Sequence, residues 1–364
     1  MPSTLPYVVC SGLLVLLNLI PLYWQFGQGN SGPIAMGVWV VLMNANEFIN
    51  AVVWYGDVVN RAPVWCDITV KIGLGGQVGR LAAVFCIARF LADVVSPRAT
   101  AMTRQDRRRR AFFDYTVSFG VPVIIMACHI VYQANRFALI RGVGCTATQL
   151  MSWPTLVLRL IWGPIFAVGG VFYSAYTVYR LIRHRRNFGR IVAGAHSALT
   201  TSRFVRLAVL SMSYLCIGVP LSLFSVIQNI ATSGRYLDYS WQYFRSTWHH
   251  EPILIDDKQT LPDLSAWSNV IVGFIFFAAF GFGSEALQLY TKVMKSCFGY
   301  RFASKGSFSS RKSWRPTLFS RIARSPGEQP HTDRAIRIFT RDVALRPPLS
   351  DGVKVVVEKE EDIV

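Results

Sequence analysis

Seven stretches of about twenty predominantly apolar residues recur along the chain, roughly 5–25, 34–55, 68–92, 112–133, 155–179, 204–229 and 265–290. A helix of that length crosses the roughly 30 Å of a bilayer's hydrocarbon at about 1.5 Å per residue. Inside lipid the backbone amides must be satisfied within the chain, which admits only helices and closed barrels. No segment alternates with the period of two that barrel strands need. The fold class expected is therefore all-α, a seven-transmembrane helix bundle. Charged residues make up only 16% of the chain, against 52% hydrophobic, where soluble domains carry roughly 25% charge. The first stretch has no basic segment before it and no small-residue cleavage site after it, so it is expected to be a retained span with no ectodomain ahead of it.

The distribution of positive charge sets the orientation. With the amino terminus extracellular, the inner segments 93–111, 180–203 and 291–364 hold 6, 6 and 15 Lys and Arg, while the outer segments together hold 6. Cytoplasmic loops carry such an excess, so the carboxyl terminus is expected in the cytoplasm. The same partition accounts for the net charge of +18; a basic patch that would bind nucleic acid is not what these loops form. Two domains follow: residues 1–290, the bundle, and residues 291–364, a basic and mostly disordered cytoplasmic tail with Ser307, Ser309, Ser310 and an acidic finish at Glu358–Asp362. Cys297, just past the last span, is either a palmitoylation site or a free thiol.

Of the seven cysteines, Cys66 and Cys145 alone fall on the oxidising side and are expected to form a disulfide tying the second outer loop to the top of the third span; the alternative is two free thiols. Glu47 and Arg80 lie nearest mid-membrane, where a charge costs roughly 2.5–3.5 kcal/mol. They are expected to face the bundle interior, either paired or in a polar cluster with Asn44, Asn46 and Asn50. Lys71, Arg89, Arg159 and Arg206, nearer the span ends, are expected to snorkel.

No enzyme motif stands out. None of the six histidines has metal-ligand spacing, and Gly73, Gly75, Gly76 and Gly79 lie in an apolar span, where small residues let helices approach closely rather than cradle a phosphate. No metal site or cofactor is expected, and the last span has no lysine for a retinal Schiff base.

Several motifs are more specific. Asn44, Asn50 and Trp54 form an N…N…W pattern; Pro63-Val64-Trp65-Cys66-Asp67-Ile68 is followed by Lys71; Ile87-Ala88-Arg89 precedes Leu91; Pro122, Gln133, Asn135, Arg136 and Phe137 lead to Gly144-Cys145. Further along come Arg185-Arg186 with Phe188, Arg203, Arg206-Leu207, Pro220, Tyr239-Ser240-Trp241, and Phe277–Gly281 with Glu285 and Tyr290. Over about 290 residues the chain resembles the fungal mating-pheromone receptors of the a-factor receptor type, class D G protein-coupled receptors, and most closely those of basidiomycetes. It departs from many relatives in having Arg80-Leu81 where they have a proline.

The resemblance implies a plasma-membrane, multi-pass receptor that is not an enzyme. Its ligand would be a farnesylated lipopeptide pheromone, and its intracellular partner the α subunit of a heterotrimeric G protein; it leaves room for a homodimer, with membrane lipids around it. Asn50, Trp54, Trp65, Lys71, Trp153 and Trp241 are the candidate ligand contacts, each tryptophan being alternatively an interfacial belt aromatic. Arg89, Arg107, Arg108, Arg185, Arg186, Arg203 and Arg206 are the candidate G-protein contacts, with anionic lipid as the competing partner. Glu47, Arg80 and Glu285 complete the intramembrane polar set. The acidic excess of the third outer loop, Asp256 among it, suits either a basic peptide end or plain solvation. A transporter or channel with a polar route past Glu47 and Arg80 is the alternative from another class.

Overall fold

The chain enters its first helix almost at once. In a computed structural model of the protein, which describes residues 4–96, 103–183, 201–232, 239–242, 251–256, 264–282 and 291, α1 (Leu5–Gln28) has a proline in its first turn, where a missing N–H leaves nothing unpaired. It stops at Gly29, whose φ of 66° is the left-handed conformation glycine adopts without a Cβ clash. After only Gly29 and Asn30 the chain turns into α2 (Ser31–Val53), and α3 (Pro63–Val95) again opens on a proline. The fourth helix, α4 (Arg104–Val131), begins with a capping box. The Thr103 hydroxyl accepts the Asp106 N–H at 3.2 Å while the Asp106 carboxylate accepts the Thr103 N–H at 3.2 Å, satisfying two otherwise orphaned donors. Next come α5 (Trp153–Arg183), α6 (Thr201–Thr232) and α7 (Leu264–Phe280). Both α4 and α5 carry a π-helical turn, Thr116–Gly120 and Leu156–Leu160.

These seven helices occupy the positions of the seven apolar stretches. Five of them, α1, α2, α4, α5 and α6, are long and apolar enough among the described residues to cross a membrane. The other two differ for separate reasons. α7 is described over 17 residues. α3 is the central helix: it packs on α2, α4, α5 and α6, and 21 of its 33 residues are buried. Its Leu81, Val84, Ile87 and Leu91 share one core with Phe166 of α5, Phe204 of α6 and Phe276 of α7. The remaining helices close a ring, with α1 on α2, α5 on α6, α6 on α7, and α7 back on α1 and α2.

The all-α expectation needs a correction. A three-stranded sheet in the order β2-β1-β3 caps one end of the bundle, from β1 (Ala138–Ile140), β2 (Gly144–Thr146) and β3 (Ile253–Ile255). Strands β1 and β2 form an antiparallel hairpin with Leu139 opposite Cys145, and β3 pairs with β1 in parallel, Leu254 opposite Leu139. Strands of three residues carry too short a pattern to announce themselves, and β3 is placed by a partner more than 110 positions away. The expected tail, apart from Thr291, lies outside the described residues, as does the last part of the seventh stretch.

Close contact between α2 and α3 depends on glycine. A Cβ on Gly79 would stand 2.3 Å from the Trp39 indole nitrogen, and one on Gly76 would stand 2.2 Å from the Met43 sulfur. The Trp39 ring cannot simply swing away, because its N–H donates to Ser118 O of α4 at 2.9 Å. Gly79→Val should therefore overpack the interface and lower stability by about 1–3 kcal/mol; a melting temperature equal to wild type in detergent would show that the approach is not constrained.

Candidate ligand-binding end and bundle cavity

The sheet is fastened to the bundle by a covalent bond and an ion pair, and a second ion pair holds its strands together. Cys66, in the first turn of α3, is bonded to Cys145 of β2, 79 positions apart, as the sequence led one to expect. One residue further along α3, Asp67 receives a bidentate contact from Arg136, with Nε on Oδ1 at 3.0 Å and a terminal nitrogen on Oδ2 at 2.6 Å. That carboxylate raises the Arg136 pKa above its usual value. Arg141 donates from Nε to Asp256 at 2.5 Å, joining the hairpin to the stretch that carries β3. The carboxylate of Asp256, read in the sequence as part of an acidic loop, is thus engaged within the protein.

Beneath the sheet the predicted ligand contacts separate into two groups. Trp54 is fully buried with Phe137 and Leu139, its indole N–H donating to Val59 O at 3.0 Å, and its own carbonyl accepts the Gly142 N–H at 2.8 Å. Trp65 donates to Asn50 Oδ1 at 3.0 Å. Gly144 (φ 88°) lies so close to Asn50 that a Cβ there would stand 2.6 Å from the Asn50 Cβ. Asn50, Trp54 and Trp65 therefore form the floor on which the hairpin rests. Trp153 and Trp241, by contrast, are 56% and 50% exposed, and Trp153 meets Tyr239 edge-on at 5.9 Å between ring centroids.

The intramembrane charges do not all behave as expected. Glu47 does not pair with Arg80; it accepts from Tyr7 Oη at 2.5 Å and from Asn269 Nδ2 at 2.8 Å, on a polar seam between α1, α2 and α7 where Asn44 also donates to Asn269 O. The four span-end cations each make a contact within the protein. Lys71 Nζ lies 2.9 Å from His129 Nδ1, which places the ring proton on Nε2 facing Thr148 O. Arg159 donates to Gln149 Oε1, Arg206 reaches Ser202 Oγ, and Arg89 stacks over Phe113 at 4.1 Å.

A cavity of about 660 Å³ opens between α3, α5, α6 and α7. Leu74, Val78 and Leu81 of α3, Ile217 and Leu221 of α6 and Val272 of α7 give it an apolar wall; Gln77, Arg80, Arg159, Tyr214, Ser222 and Ser268 supply its polar groups. The volume falls within the range of sites for small organic ligands. None of the candidate ligand contacts read from the sequence lines it, and a cavity between helices distant in sequence leaves no local signal that could have announced it.

At the opposite end of the bundle Arg107 and Arg108 are exposed on α4. Arg203, in the first turn of α6, donates to Gln28 Oε1 at 2.6 Å and sits 5.1 Å from the Trp24 ring centroid, connecting the start of α6 to the end of α1. Arg185, Arg186 and Glu285 lie outside the described residues. Sequence reasoning missed a buried cluster here: Asp114 accepts from Ser31 Oγ, lies 3.6 Å from Arg110 Nε, and Arg110 covers the Phe90 ring at 3.6 Å. The i, i+4 spacing of Arg110 and Asp114 was the available signal.

Comparison with known proteins adds a separate line. The sequence pattern of the family described as "Pheromone A receptor" matches residues 6–299. Similar proteins include the Pheromone B alpha 3 receptor of Schizophyllum commune, 30% identical over 285 residues, which are 75% of this chain and 45% of that protein. The Pheromone B beta 1 receptor of the same species is 31% identical over 304 residues, 80% of this chain and 55% of the relative. The Pheromone a factor receptor of Saccharomyces cerevisiae is 26% identical over 292 residues, 78% and 60% of the two chains. The chain thus spans about half the length of the Schizophyllum relatives it matches.

Two expectations follow from the geometry. Cys145→Ser should destabilise the protein by roughly 2–5 kcal/mol, the usual cost of losing a native disulfide, read as a melting temperature that reductant no longer lowers. Asp67→Asn keeps the shape but removes the charge facing Arg136. It should cost about 1 kcal/mol or less, because both side chains are partly exposed; a loss as large as that of the disulfide variant would mean the pair does more than fasten the sheet.

Proposed function

Because the chain belongs to the pheromone A receptor family, we propose that it is a G protein-coupled receptor of the plasma membrane for a prenylated peptide pheromone. The observation that carries this reading is the family match over most of the helical bundle, joined to a cavity with an aliphatic wall among the helices. In this reading all seven helices cross the membrane, with the amino terminus extracellular and residues 291–364 forming a cytoplasmic tail. The lysine and arginine count supports that orientation. So does the disulfide at the sheet-capped end, since disulfides persist in oxidising surroundings.

A prenyl chain partitions into the apolar part of a bilayer, so the ligand reaches the bundle from the outer leaflet. Trp153 and Trp241, exposed at the sheet-capped end, are well placed to receive it, while Asn50, Trp54, Trp65 and Lys71 hold that end in shape. The cavity between α3, α5, α6 and α7, with its aliphatic wall, then takes the ligand's buried portion. Agonist shifts the balance between two helix arrangements by its preference for one of them. The moving element is α6, which has Pro220 inside it and meets both the cavity and, through Arg203, the far end of α1. On the cytoplasmic side Arg89, Arg107, Arg108, Arg185, Arg186, Arg203 and Arg206 provide the basic surface for the G-protein α subunit.

Yeast expressing the chain with a G-protein reporter should respond to at least one of a panel of farnesylated peptides and to none of the same peptides without the prenyl group. Silence toward the whole panel, with solute flux instead, would favour a transporter. Replacing Arg185 and Arg186 together with alanine should weaken the reporter at least about tenfold, as expected when two charge contacts of roughly 1 kcal/mol each are lost, with surface expression unchanged. Undiminished signalling from that variant would remove those two residues from the docking surface.

A further inference from the structure

The seam between α1, α2 and α7 is rich in acceptors. Glu47 of α2 accepts from Tyr7 Oη at 2.5 Å and from Asn269 Nδ2 at 2.8 Å. Asn44, one turn earlier on α2, commits its Nδ2 to Val40 O at 2.8 Å and Asn269 O at 3.3 Å, and Asn18 of α1 commits its own to Gly273 O at 3.2 Å. The three amides therefore gather on one turn of α7, from Asn269 to Gly273. Gly273 allows the approach: a Cβ there would stand 3.1 Å from Asn44 Nδ2 and 3.4 Å from Asn44 Oδ1. Asn18, Asn44 and Asn269 are 0%, 1% and 3% exposed, and the Oδ1 of each is buried without a hydrogen-bond donor among the described residues. Their orientation is dictated, because every nitrogen faces a carbonyl or carboxylate oxygen and turning an amide over would set oxygen against oxygen. Asn46, whose Oδ1 is also unmatched, turns instead to Thr69 of α3.

Buried acceptors in native structures are matched, and each exception asks for an explanation. A water has two protons to share among three acceptors and brings no charge. A hard cation suits the set better, since carboxylate and amide oxygens are its usual ligands and can replace its hydration shell. One carboxylate and three neutral amides carry a single negative charge. That charge matches a monovalent ion, whereas a divalent ion would leave an excess positive charge within hydrocarbon. We propose that the α1–α2–α7 seam binds an alkali-metal cation through the Glu47 carboxylate and the Oδ1 atoms of Asn44 and Asn269, with Asn18 Oδ1 the next acceptor along the turn. The ion ties α7 to α1 and α2, and so favours the helix arrangement in which the three stay together. The inference goes beyond the receptor reading and does not depend on it.

The test titrates the full-length protein in nanodiscs with sodium chloride against N-methylglucamine chloride at constant ionic strength, following the melting temperature and the binding of radioactive sodium. Wild type should bind sodium saturably, and its melting temperature should rise with sodium and level off, because a ligand held only by the folded state stabilises it by mass action. Glu47→Gln keeps an acceptor for Tyr7 but removes the charge, and should lose both responses. Asn44→Ala removes one oxygen and leaves the charge, and should raise the half-saturating sodium concentration at least about tenfold, the size of one contact to a charged group. Equal responses to sodium and N-methylglucamine in wild type, sodium binding that survives in Glu47→Gln, or calcium binding tighter than sodium would overturn the proposal. Should Glu47→Gln fail to fold, Asn44→Ala decides alone, and a half-saturation equal to wild type overturns it. Saturable sodium binding in a protein whose reporter stays silent to every prenylated peptide would leave this inference standing and remove the receptor reading.

Discussion

The enclosure of α3 by its neighbours is the constraint from which most of the structure follows. A helix surrounded by protein need not be uniformly apolar, because its polar side chains can be met by other helices instead of lipid. That is why Lys71, Arg80 and Arg89 are tolerated along one segment, whereas α1 carries no Asp, Glu, Lys or Arg. Enclosure also demands close approach, supplied by Gly76 and Gly79 against Met43 and Trp39. In α3 the same helix therefore holds the small residues that draw α2 in, the aliphatic residues that fill the core, and the cations that give the bundle its internal polarity.

Polar groups are arranged differently at the two ends. At the sheet-capped end Cys66, Asp67 and Trp65 occupy consecutive positions at the start of α3, and each binds a different part of the cap or its floor: Cys145, Arg136 and Asn50. At the other end the contacts tie helices to one another, Arg110 and Asp114 of α4 with Phe90 of α3 and Ser31 of α2, and Arg203 of α6 with Gln28 of α1. The cavity lies between these two sets, bordered by α6, which contacts α3, α5 and α7 alike. A ligand that changes how α6 sits against α3 would be felt at both ends.

How much of this was legible depended on the range of the interaction. Helix positions were readable because hydrophobicity over twenty residues is a local property, and the disulfide was readable because only two cysteines fell on one side of the chain's charge pattern. The roles of Trp54 and Trp65 were not. The sequence offers both as ligand contacts or as interfacial belt aromatics, and it does not show that folding buries the first under β1 and β2 and pairs the second with Asn50. For Glu47 and Arg80 the sequence leaves open a mutual pair or a polar cluster with Asn44, Asn46 and Asn50; Glu47 and Asn44 both meet Asn269, a choice that depends on the angular position of each helix around the bundle and so on packing.

The sequence by itself determined that this chain forms long apolar helices with its cations gathered in particular loops, because both properties rest on the transfer of side chains between water and hydrocarbon and need no partner to be defined. Only the tertiary structure decided which charges find partners and which face open space. Tyr7 and Asn269, 40 and 222 positions from Glu47, take that carboxylate away from Arg80. The guanidinium is left at the wall of a cavity that exists only because four helices meet there, and no local pattern can encode a void whose sides come from separate parts of the chain.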